Sequence, residues 1–459
     1  MHQTTIFDVL YPKYKITKPI RLIETFSGYG SQALALKYLE VKFEHWKTCE
    51  WAIKSIQAYK DIHFTNDTKE ISMSKDEMID YLYNKGISSN YNEPMTKNQI
   101  SRLNEKQLKT IIENIEITHN LVNIQQVKGQ DLEIVEKEQY EYILTYSFPC
   151  QDLSLAGKGK GMADTTTRSG MLWEVERILN ELKELNQLPQ ILLMENVPQV
   201  HGSDNVEHFN KWQLALESMG YKNYFQDLIA TDYGIPQTRN RCFMISILGD
   251  YSYTFPKPIP LKLKLKDLLE NEVDEKYYLS DRQIKCLSSN KVYKNGYIRG
   301  NQFKKNINPD VCTTITASSS DRASDTFISI KNVTKKGYLE ATDGSNDRGI
   351  CVGTYQYAKS DKFMNGKDRL QLGKDVSDTL QTTPKEGVCY NDLRIRKLTP
   401  RECGRLMNVK DEDINKLLKN QSNSSAYHLF GDSICTNVLM AIFGELLDEN
   451  WKKYLWKVQ

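Results

Sequence analysis

The segment "IRLIETFSGYGSQALALKYLE", residues 20–40, decides the fold class. Its first part, Ile20–Phe26, predicts a buried strand. Gly28 and Gly30 follow at once and allow a tight turn, and the next ten residues predict a helix. Together with Ala33, the two glycines give the pattern G-x-G-x-x-A directly after a strand. That pattern is typical of a turn that lets the backbone approach a nucleotide closely.

A second predicted strand, Phe43–Cys49, ends at Glu50, 22 residues after Gly28. A carboxylate in this place can accept hydrogen bonds from ribose hydroxyls. The two features together predict a nucleotide-type cofactor. They do not distinguish NAD, FAD and S-adenosylmethionine.

Strands and helices alternate through the first half of the chain. The further predicted strands are Tyr142–Phe148, Gln190–Met194 and Cys242–Leu248. The predicted helices between them include Leu172–Leu185 and Phe209–Met219. This alternation predicts an α/β fold with a parallel sheet that helices cover on both faces.

Changes of composition suggest the domain organisation. Residues 18–252 form a predicted main lobe, and the polar, helix-prone residues 65–118 indicate an insertion into it. Residues 253–390 change to short β-like runs with polar turns, which predicts a smaller second domain. Residues 391–459 return to the main lobe and end in a predicted amphipathic helix, Thr436–Tyr454.

Composition bounds the class of protein. The 459 residues are 39% hydrophobic and 26% charged, as in soluble globular proteins. No run of about 18 apolar residues and no secretory signal occurs, so we expect a cytoplasmic protein without a membrane span. The nine cysteines include no C-x-x-C pair, and we therefore expect reduced thiols and no metal site. Because the net charge is only +2, any nucleic-acid surface must be a local patch.

One thiol stands at a position suited to chemistry. Cys150 follows Pro149 at the end of a predicted strand, and parallel sheets bind ligands at the carboxyl ends of their strands. The loop 157–161, with sequence GKGKG, follows and suits closure over a phosphate backbone. The alternative is that Cys150 is a small core residue, since free cysteines are often buried.

Two further motifs reach the same edge of the predicted sheet. Glu195 ends a strand there and could transfer a proton beside a nucleophile, although such a residue is more often a surface charge or a helix cap. Gln237, Arg239 and Arg241 alternate along a predicted strand and should share one face. Arginines on that face suit a carboxylate, a phosphate or a carbonyl oxygen.

In order and spacing, these motifs resemble those of the cytosine-C5 DNA methyltransferases of bacterial or phage type. The matching segments are Phe26–Gly30, Pro149–Gln151, Arg168–Glu174, Glu195–Val197, Gln237–Arg241, Arg396–Glu402 and Gly431–Ile434. The chain departs from the family pattern at Asp432, where the family usually has Asn, and at Glu24, where it commonly has Asp.

The resemblance implies a Rossmann-like lobe that uses S-adenosylmethionine and a smaller β-rich target-recognition domain. It implies sequence-specific methyl transfer to C5 of a cytosine flipped out of duplex DNA. Cys150 would add to C6 of the base. Glu195 would hydrogen-bond the N3 side, and Arg239 and Arg241 would stabilise the charge that develops.

The resemblance also implies a set of cofactor-binding residues. Glu50 would take the ribose, Trp51 would stack near the adenine, and Asp131 would meet the adenine amino group. The complete expected set is Phe26, Gly28, Gly30, Glu50, Trp51, Asp131, Pro149 and Leu172.

In the predicted target-recognition domain, residues 291–308 contain five basic residues and no acidic one. We expect these basic residues to contact the DNA backbone, with three aromatic residues interleaved. They are Lys291, Lys294, Arg299, Lys304 and Lys305, with Tyr293, Tyr297 and Phe303 between them. The family also places a Thr followed by an aliphatic residue in this domain, and both Thr314-Ile315 and Thr379-Leu380 are candidates.

The expected partner is double-stranded DNA, bound by a monomer, with a cognate restriction endonuclease acting separately if one exists. Alternatives are a tRNA cytosine-C5 methyltransferase and a catalytically inactive DNA-binding homologue. The long second domain disfavours the first, and the intact motifs at Cys150 and Glu195 disfavour the second. An amino-methyltransferase would leave Cys150 without a role, and an NAD enzyme would explain nothing after residue 145.

Overall fold

The computed structural model describes residues 11–149, 169–289, 298–317, 322, 324–331, 352–354, 371–372, 386–388 and 393–455. Several residues of interest lie outside these ranges. They are Cys150, the loop 157–161, Arg168, Lys291, Tyr293, Lys294, Tyr297 and the pair Thr379-Leu380.

A six-stranded sheet with strand order β2-β1-β3-β4-β6-β5 organises the main lobe. Its strands are β1 Ile20–Thr25, β2 Phe43–Cys49, β3 Glu141–Tyr146, β4 Ile191–Asn196, β5 Tyr221–Ile229 and β6 Asn240–Leu248. All six residues of β1, β3 and β4 are buried, as expected for strands covered on both faces. The expected α/β architecture is confirmed.

The direction of β6 corrects the expectation of a fully parallel sheet. β1, β2, β3 and β4 are parallel, whereas β6 is antiparallel to both β4 and β5. Only a short connection through the turn Ala230–Tyr233 separates β5 from β6. Such a connection is too short for the helical crossover that a parallel neighbour requires. β5 itself escaped sequence prediction because it is a partly exposed edge strand with many polar residues.

The described residues form helices that cover both faces of this sheet, helices of the insertion and helices of the second domain. They are α1 Ser31–Tyr38, α2 Ile53–His63, α3 Lys75–Lys85, α4 Lys97–Ser101, α5 Glu105–Ile117, α6 Leu172–Glu184, α7 Val206–Ser218, α8 Asp281–Leu287, α9 Arg299–Lys305, α10 Pro400–Leu406, α11 Asp411–Lys419, α12 Asn423–Asp432 and α13 Thr436–Leu447. On one face, α1 and α13 pack together over Leu22 and Ile245. On the other, α6 and α7 pack over Leu144 and Met194.

The C-terminal helix differs from its prediction. α13 ends at Leu447, and a separate 3-10 turn, Trp451–Tyr454, follows it. Nearly all residues of α13 are buried, so the helix is central to the core and not amphipathic. The stretch Asn423–Leu447 is long and apolar enough to span a membrane, but 83% of its most apolar window is buried within the protein. It therefore belongs to the core of the main lobe.

The polar segment at 65–118 forms three helices, α3, α4 and α5. A capping box precedes each helix. In it, the side chain of the N-cap residue accepts a hydrogen bond from the backbone N–H three positions later, and the side chain at that later position accepts one from the N-cap N–H. The helices enclose a small core of their own, formed by Met78, Leu82, Ile100, Leu108 and Ile112. The segment is thus built from locally encoded helices around a separate apolar cluster.

The described parts of the second domain contain short strands. β7 Phe327–Lys331 pairs antiparallel with β11 Leu393–Lys397, which follows the predicted end of this domain at residue 390. β8 Val352–Thr354 lies between β9 Gln371–Leu372 and β10 Glu386–Val388. Phe303 is fully buried in a cluster with Phe327 and Ile395. Although Phe303 stands among basic residues in the sequence, its ring belongs to the domain core.

Candidate active site at the carboxyl edge of the sheet

Strand directions bring the predicted motifs together at one edge of the sheet. β1, β2, β3 and β4 all end at this edge, and antiparallel β6 begins there. In the β4–β6 register, Glu195 lies opposite Phe243 and Asn196 lies opposite Cys242. Arg241 therefore comes just beyond the end of β4. The reversed strand carries an arginine to the edge where Glu195 ends its own strand.

Glu195 and Arg241 form an ion pair. The Nε atom of Arg241 lies 3.1 Å from Oε1 of Glu195, and their side chains are 17% and 9% exposed. Burial raises the pKa of Glu195, and the positive charges of Arg241 and Arg239 partly offset that rise. A buried carboxyl group with a raised pKa is suited to hold and donate a proton at this edge.

Arg239 and Gln237, the other two polar residues of the Gln237–Arg241 motif, form hydrogen bonds with backbone groups of other segments. Arg239 is buried and donates from Nη1 to the carbonyl oxygen of Ile315, at 3.0 Å, and from Nη2 to that of Ser433, at 2.5 Å. Burial lowers the pKa of Arg239 to about 10. Gln237 donates to the Leu406 carbonyl and accepts from the Ile315 N–H.

Because β6 begins only at Asn240, Gln237 and Arg239 both precede the strand on which the alternation was expected. Arg241 pairs with Glu195, whereas Gln237 and Arg239 connect the lobe to the segment around Ile315.

Asn196 connects two of the motifs, a role that the sequence reasoning missed. Its buried side chain donates from Nδ2 to the carbonyl oxygen of Phe148 at 3.0 Å. Its Oδ1 accepts a 2.9 Å hydrogen bond from the Val197 N–H. Phe148 immediately precedes Pro149 and Cys150. Asn196 therefore holds the end of the segment that leads to Cys150 beside the strand that carries Glu195.

The glycine turn after β1 is tightly constrained on one side and open on the other. Gly28 has φ 54° and Gly30 has φ 83°, both in the left-handed region that favours glycine. A Cβ on Gly30 would lie 2.5 Å from Nε2 of His63, so no larger residue fits there. Among the described residues, no atom lies within 4 Å of a Cβ built on Gly28. The turn thus leaves space for a ligand next to Gly28.

Glu50, which directly follows β2, lies next to the glycine turn. Its carboxylate accepts hydrogen bonds from the backbone N–H groups of Gly28, at 3.1 Å, and Ala52, at 2.8 Å. Burial raises the pKa of Glu50. Asn120 holds the Glu50 backbone from both sides, with Oδ1 accepting from its N–H at 3.0 Å and Nδ2 donating to its carbonyl at 2.9 Å. Asn120 lies two residues after the insertion, where sequence reasoning found no motif.

The other expected cofactor residues occupy different environments. Phe26 and Trp51 are half-buried next to the turn and to Glu50, and Pro149 is half-buried at the end of the β3 segment. Leu172 is fully buried at the start of α6.

Asp131 lies in the short 3-10 turn Gly129–Leu132. Its carboxylate accepts a 2.8 Å hydrogen bond from the Lys128 N–H, and its turn packs on α6.

The segment around Thr314-Ile315 lies against this edge. The backbone of Ile315 bonds to Gln237 and Arg239, and Thr314 Oγ1 donates to the Thr238 carbonyl at 3.3 Å. A Cβ on Gly431 would lie 2.2 Å from the Ala317 nitrogen, so the segment also packs closely on α12. One of the two expected Thr-aliphatic pairs is therefore next to the candidate site.

Comparisons with known proteins agree with this arrangement. The family model of C-5 cytosine-specific DNA methylase matches residues 83–448. The Type II methyltransferase M2.ScrFI of Lactococcus lactis subsp. cremoris is 32% identical over 432 residues, which are 93% of this chain and 99% of that protein. The orphan methyltransferase M.SssI of Spiroplasma monobiae is 36% identical over 401 residues, 83% of this chain and 96% of the relative.

Solved structures show the same fold at low sequence identity. The Entamoeba histolytica methyltransferase EhMeth has a TM-score of 0.55 at 14% identity and covers 94% of this chain and 99% of its own. The Dnmt2 methyltransferase of S. pombe has a TM-score of 0.54 at 16% identity, with coverage of 94% and 99%. The family match and the two relatives, taken with the motifs gathered at one sheet edge, show that this chain belongs to the C-5 cytosine-specific DNA methylase family and is a DNA (cytosine-5-)-methyltransferase.

Proposed function

We propose that the chain methylates C5 of a flipped-out cytosine through a covalent bond between Cys150 and C6 of the base. The observation that carries this proposal is the buried Glu195–Arg241 pair, which Asn196 joins to the segment leading into Cys150. The three motifs thereby converge at one sheet edge, where a nucleophile and a proton donor can act on the same base.

The roles of the residues follow from their chemistry. C5 of cytosine is a weak nucleophile until the Cys150 thiolate adds to C6 and makes the ring enamine-like. Glu195, whose pKa burial raises, donates a hydrogen bond or a proton to N3 as electron density moves into the ring. Arg241 holds the Glu195 carboxyl group in place and offsets the negative charge. Once C5 has accepted the methyl group, loss of the C5 proton to a base expels the Cys150 thiolate and restores the aromatic ring.

The cofactor region fits S-adenosylmethionine, which supplies the methyl group when bound. The open space beside Gly28 allows close approach of a ligand, and the Glu50 carboxyl group lies next to it. We infer that Phe26, Gly28, Gly30, Glu50 and Trp51 bind the nucleoside. The contacts of Asp131 give no support to its expected role at the adenine. We keep Pro149 and Leu172 in the proposed set because they lie next to the nucleophile motif and at the start of α6.

The proposed substrate is duplex DNA with a short defined sequence, bound by a monomer in the cytoplasm. Residues 253–390 would act as the target-recognition domain. Thr314-Ile315 is the Thr-aliphatic pair that we place at the DNA, because its backbone is bonded to Gln237 and Arg239 next to the candidate site. The similarity to Type II and orphan methyltransferases is compatible with a separate restriction endonuclease and with a solitary enzyme.

Replacement of Cys150 by Ser tests the covalent step. We expect Cys150→Ser to abolish incorporation of labelled methyl groups into duplex DNA while the affinity for S-adenosylmethionine remains unchanged. Cys286→Ser is the matched control, because Cys286 is an exposed free cysteine of the second domain. DNA that contains 5-fluorocytosine should form a stable adduct with the wild type, since fluorine cannot leave as the C5 proton does.

Two results would contradict the proposal. Near-normal methyl transfer by Cys150→Ser would exclude the covalent mechanism. Equal or better activity on transfer RNA than on duplex DNA would favour the RNA-directed alternative. Bisulfite sequencing of DNA from cells that express the chain would identify the methylated sequence.

A further inference from the structure

The helical insertion is attached directly to the cofactor region. The Ser88 N–H donates to the Trp51 carbonyl at 2.7 Å, and the Ile53 N–H donates to the Ser88 carbonyl at 2.9 Å. Trp51 and Ile53 also pack against the insertion's apolar cluster. Since Trp51 directly follows Glu50, the insertion fixes the chain at the point where it leaves β2.

The same insertion reaches the last family motif through one aromatic side chain. Tyr91 has φ 63°, an uncommon left-handed conformation for a residue with an aromatic side chain. Its ring stacks on the imidazole of His428 in α12, with ring centroids 4.1 Å apart and an interplanar angle of 13°. The Nδ1 atom of His428 lies 3.1 Å from Oδ2 of Asp432. A continuous chain of contacts thus runs from the insertion to Asp432.

Asp432 directly precedes a residue that contacts both Arg239 and the start of α1. The next residue, Ser433, accepts a hydrogen bond from Arg239 at its carbonyl, and its Oγ lies 2.8 Å from Oγ of Ser31, which begins α1 directly after the glycine turn.

Burial raises the pKa of Glu50, and the negative charge of Asp432 adds to that rise. Burial also raises the pKa of Asp432, and the positive charges of His428, Arg239 and Arg241 counteract that rise. An acidic residue at this position therefore adds a second negative charge that acts on Glu50, which the Asn of the family pattern would not add.

We propose that the insertion supplies a positioning contact for the cofactor site, in which Tyr91 holds His428 against Asp432. The hydrogen bond from His428 orients the Asp432 carboxylate and reduces its repulsion of Glu50. This inference rests on the proposed function of the Glu50 region as the cofactor site. Tyr91 and His428 act through Asp432 and are positioning residues.

A double-mutant cycle tests the proposal. The affinity of the full chain for S-adenosylmethionine is measured by calorimetry, and kcat is measured separately on DNA. His428→Ala should weaken the affinity about fivefold, equivalent to ~1 kcal/mol for a partly exposed pair, with little change in kcat. In the Asp432→Asn background the same replacement should change the affinity by less than about twofold, because no charge then needs a partner.

Replacements of tyrosine test the contribution of the insertion. Tyr91→Leu should weaken the affinity for S-adenosylmethionine about threefold, a fraction of the effect expected at His428, because it removes only the ring that holds the imidazole. Tyr91→Phe retains that ring and should restore the affinity. Tyr83→Leu is the matched control, since Tyr83 is an exposed tyrosine of the same insertion. It should bind the cofactor as the wild type does.

Three results would overturn the inference. The first is an equal effect of His428→Ala with Asp432 and with Asn at position 432. The second is a failure of Tyr91→Phe to restore binding, and the third is an equal loss in Tyr83→Leu. Because calorimetry requires no methyl transfer, a failure of the Cys150 mechanism would leave this test intact. Complete absence of S-adenosylmethionine binding by the wild type would instead overturn the proposed cofactor site itself, and the inference with it.

Discussion

Replacement of Glu195 by Gln tests the proposed proton donor most directly. The substitution keeps the size of the side chain and a hydrogen-bond donor but removes the transferable proton. A positioned acid or base contributes roughly 10²–10⁴-fold to a rate, so we expect kcat to fall by at least about 100-fold. Arg241 also loses a charged partner that is only 9% exposed. That loss should lower the free energy of unfolding by ~1.5–3 kcal/mol.

The dependence of kcat on pH separates these two effects. Burial raises the pKa of Glu195, so its acid form persists to higher pH than in an ordinary glutamic acid. If that form is required, kcat should fall as the pH rises through the raised pKa, and this decline should be missing in Glu195→Gln. The assay is incorporation of labelled methyl groups into duplex DNA under single-turnover conditions, which isolates the chemical step from product release.

Glu44→Gln provides the matched control. Glu44 also pairs with an arginine, Arg21, at 2.9 Å, but it lies near the opposite edge of the same sheet and is 49% exposed. We expect normal kcat and a loss of stability below ~1 kcal/mol. If Glu195→Gln retained kcat within a few-fold and kept the wild-type pH profile, Glu195 would not be the proton donor.

Three further predictions concern the core, the recognition segment and the DNA surface. Burial raises the pKa of Glu24 from 4.5 to about 7, so the free energy of unfolding should fall by up to ~3 kcal/mol as pH rises through this window, and this fall should be absent in Glu24→Gln. Gly431→Ala would place a Cβ 2.3 Å from the Thr316 carbonyl carbon and should cost ~1–3 kcal/mol of stability, measured by urea unfolding. Lys304 and Lys305 are exposed on α9, and replacing both by Gln should lower the slope of log DNA affinity against log salt by about 0.9 for each phosphate that a lysine no longer neutralises.

Each of these three predictions has a result that contradicts it. The same pH dependence of stability in Glu24→Gln and the wild type would show that this carboxyl group ionises normally. Gly202→Ala is the control for Gly431, because the nearest atom to its added Cβ is 3.3 Å away, and equal losses of stability would remove the argument from close packing. An unchanged salt slope in the double lysine variant would make this face of α9 a solvated surface.

The sequence by itself determined the parts of the protein that depend on local pattern and chain order. The strand–turn–helix at residues 20–40 and the later buried strands have clear apolar patterns, and the structure forms them within a few residues of the predicted bounds. The convergence of Phe26, Glu50, Pro149 and Glu195 also followed from sequence, because parallel strands present their carboxyl ends at one edge.

Only the tertiary structure decided the features that depend on long-range pairing. The reversed direction of β6 brings Arg241 to Glu195, and it follows from the hairpin with the edge strand β5, whose polar sequence gave no clear strand pattern. Packing also gives the two arginines different partners. Arg239 donates hydrogen bonds to backbone carbonyl groups, whereas Arg241 pairs with the Glu195 carboxylate.

The remaining features that sequence did not predict are contacts between residues far apart in the chain. Asn196 bonds to Phe148, Asn120 holds Glu50, and Tyr91 stacks on His428. No local periodicity marks these residues, because a polar or aromatic side chain acquires its partner only when separate elements pack together. The sequence thus determined which chemical groups the site contains and which sheet edge they share. The packing of distant segments decided which of these groups are in contact, because local sequence patterns do not encode proximity in three dimensions.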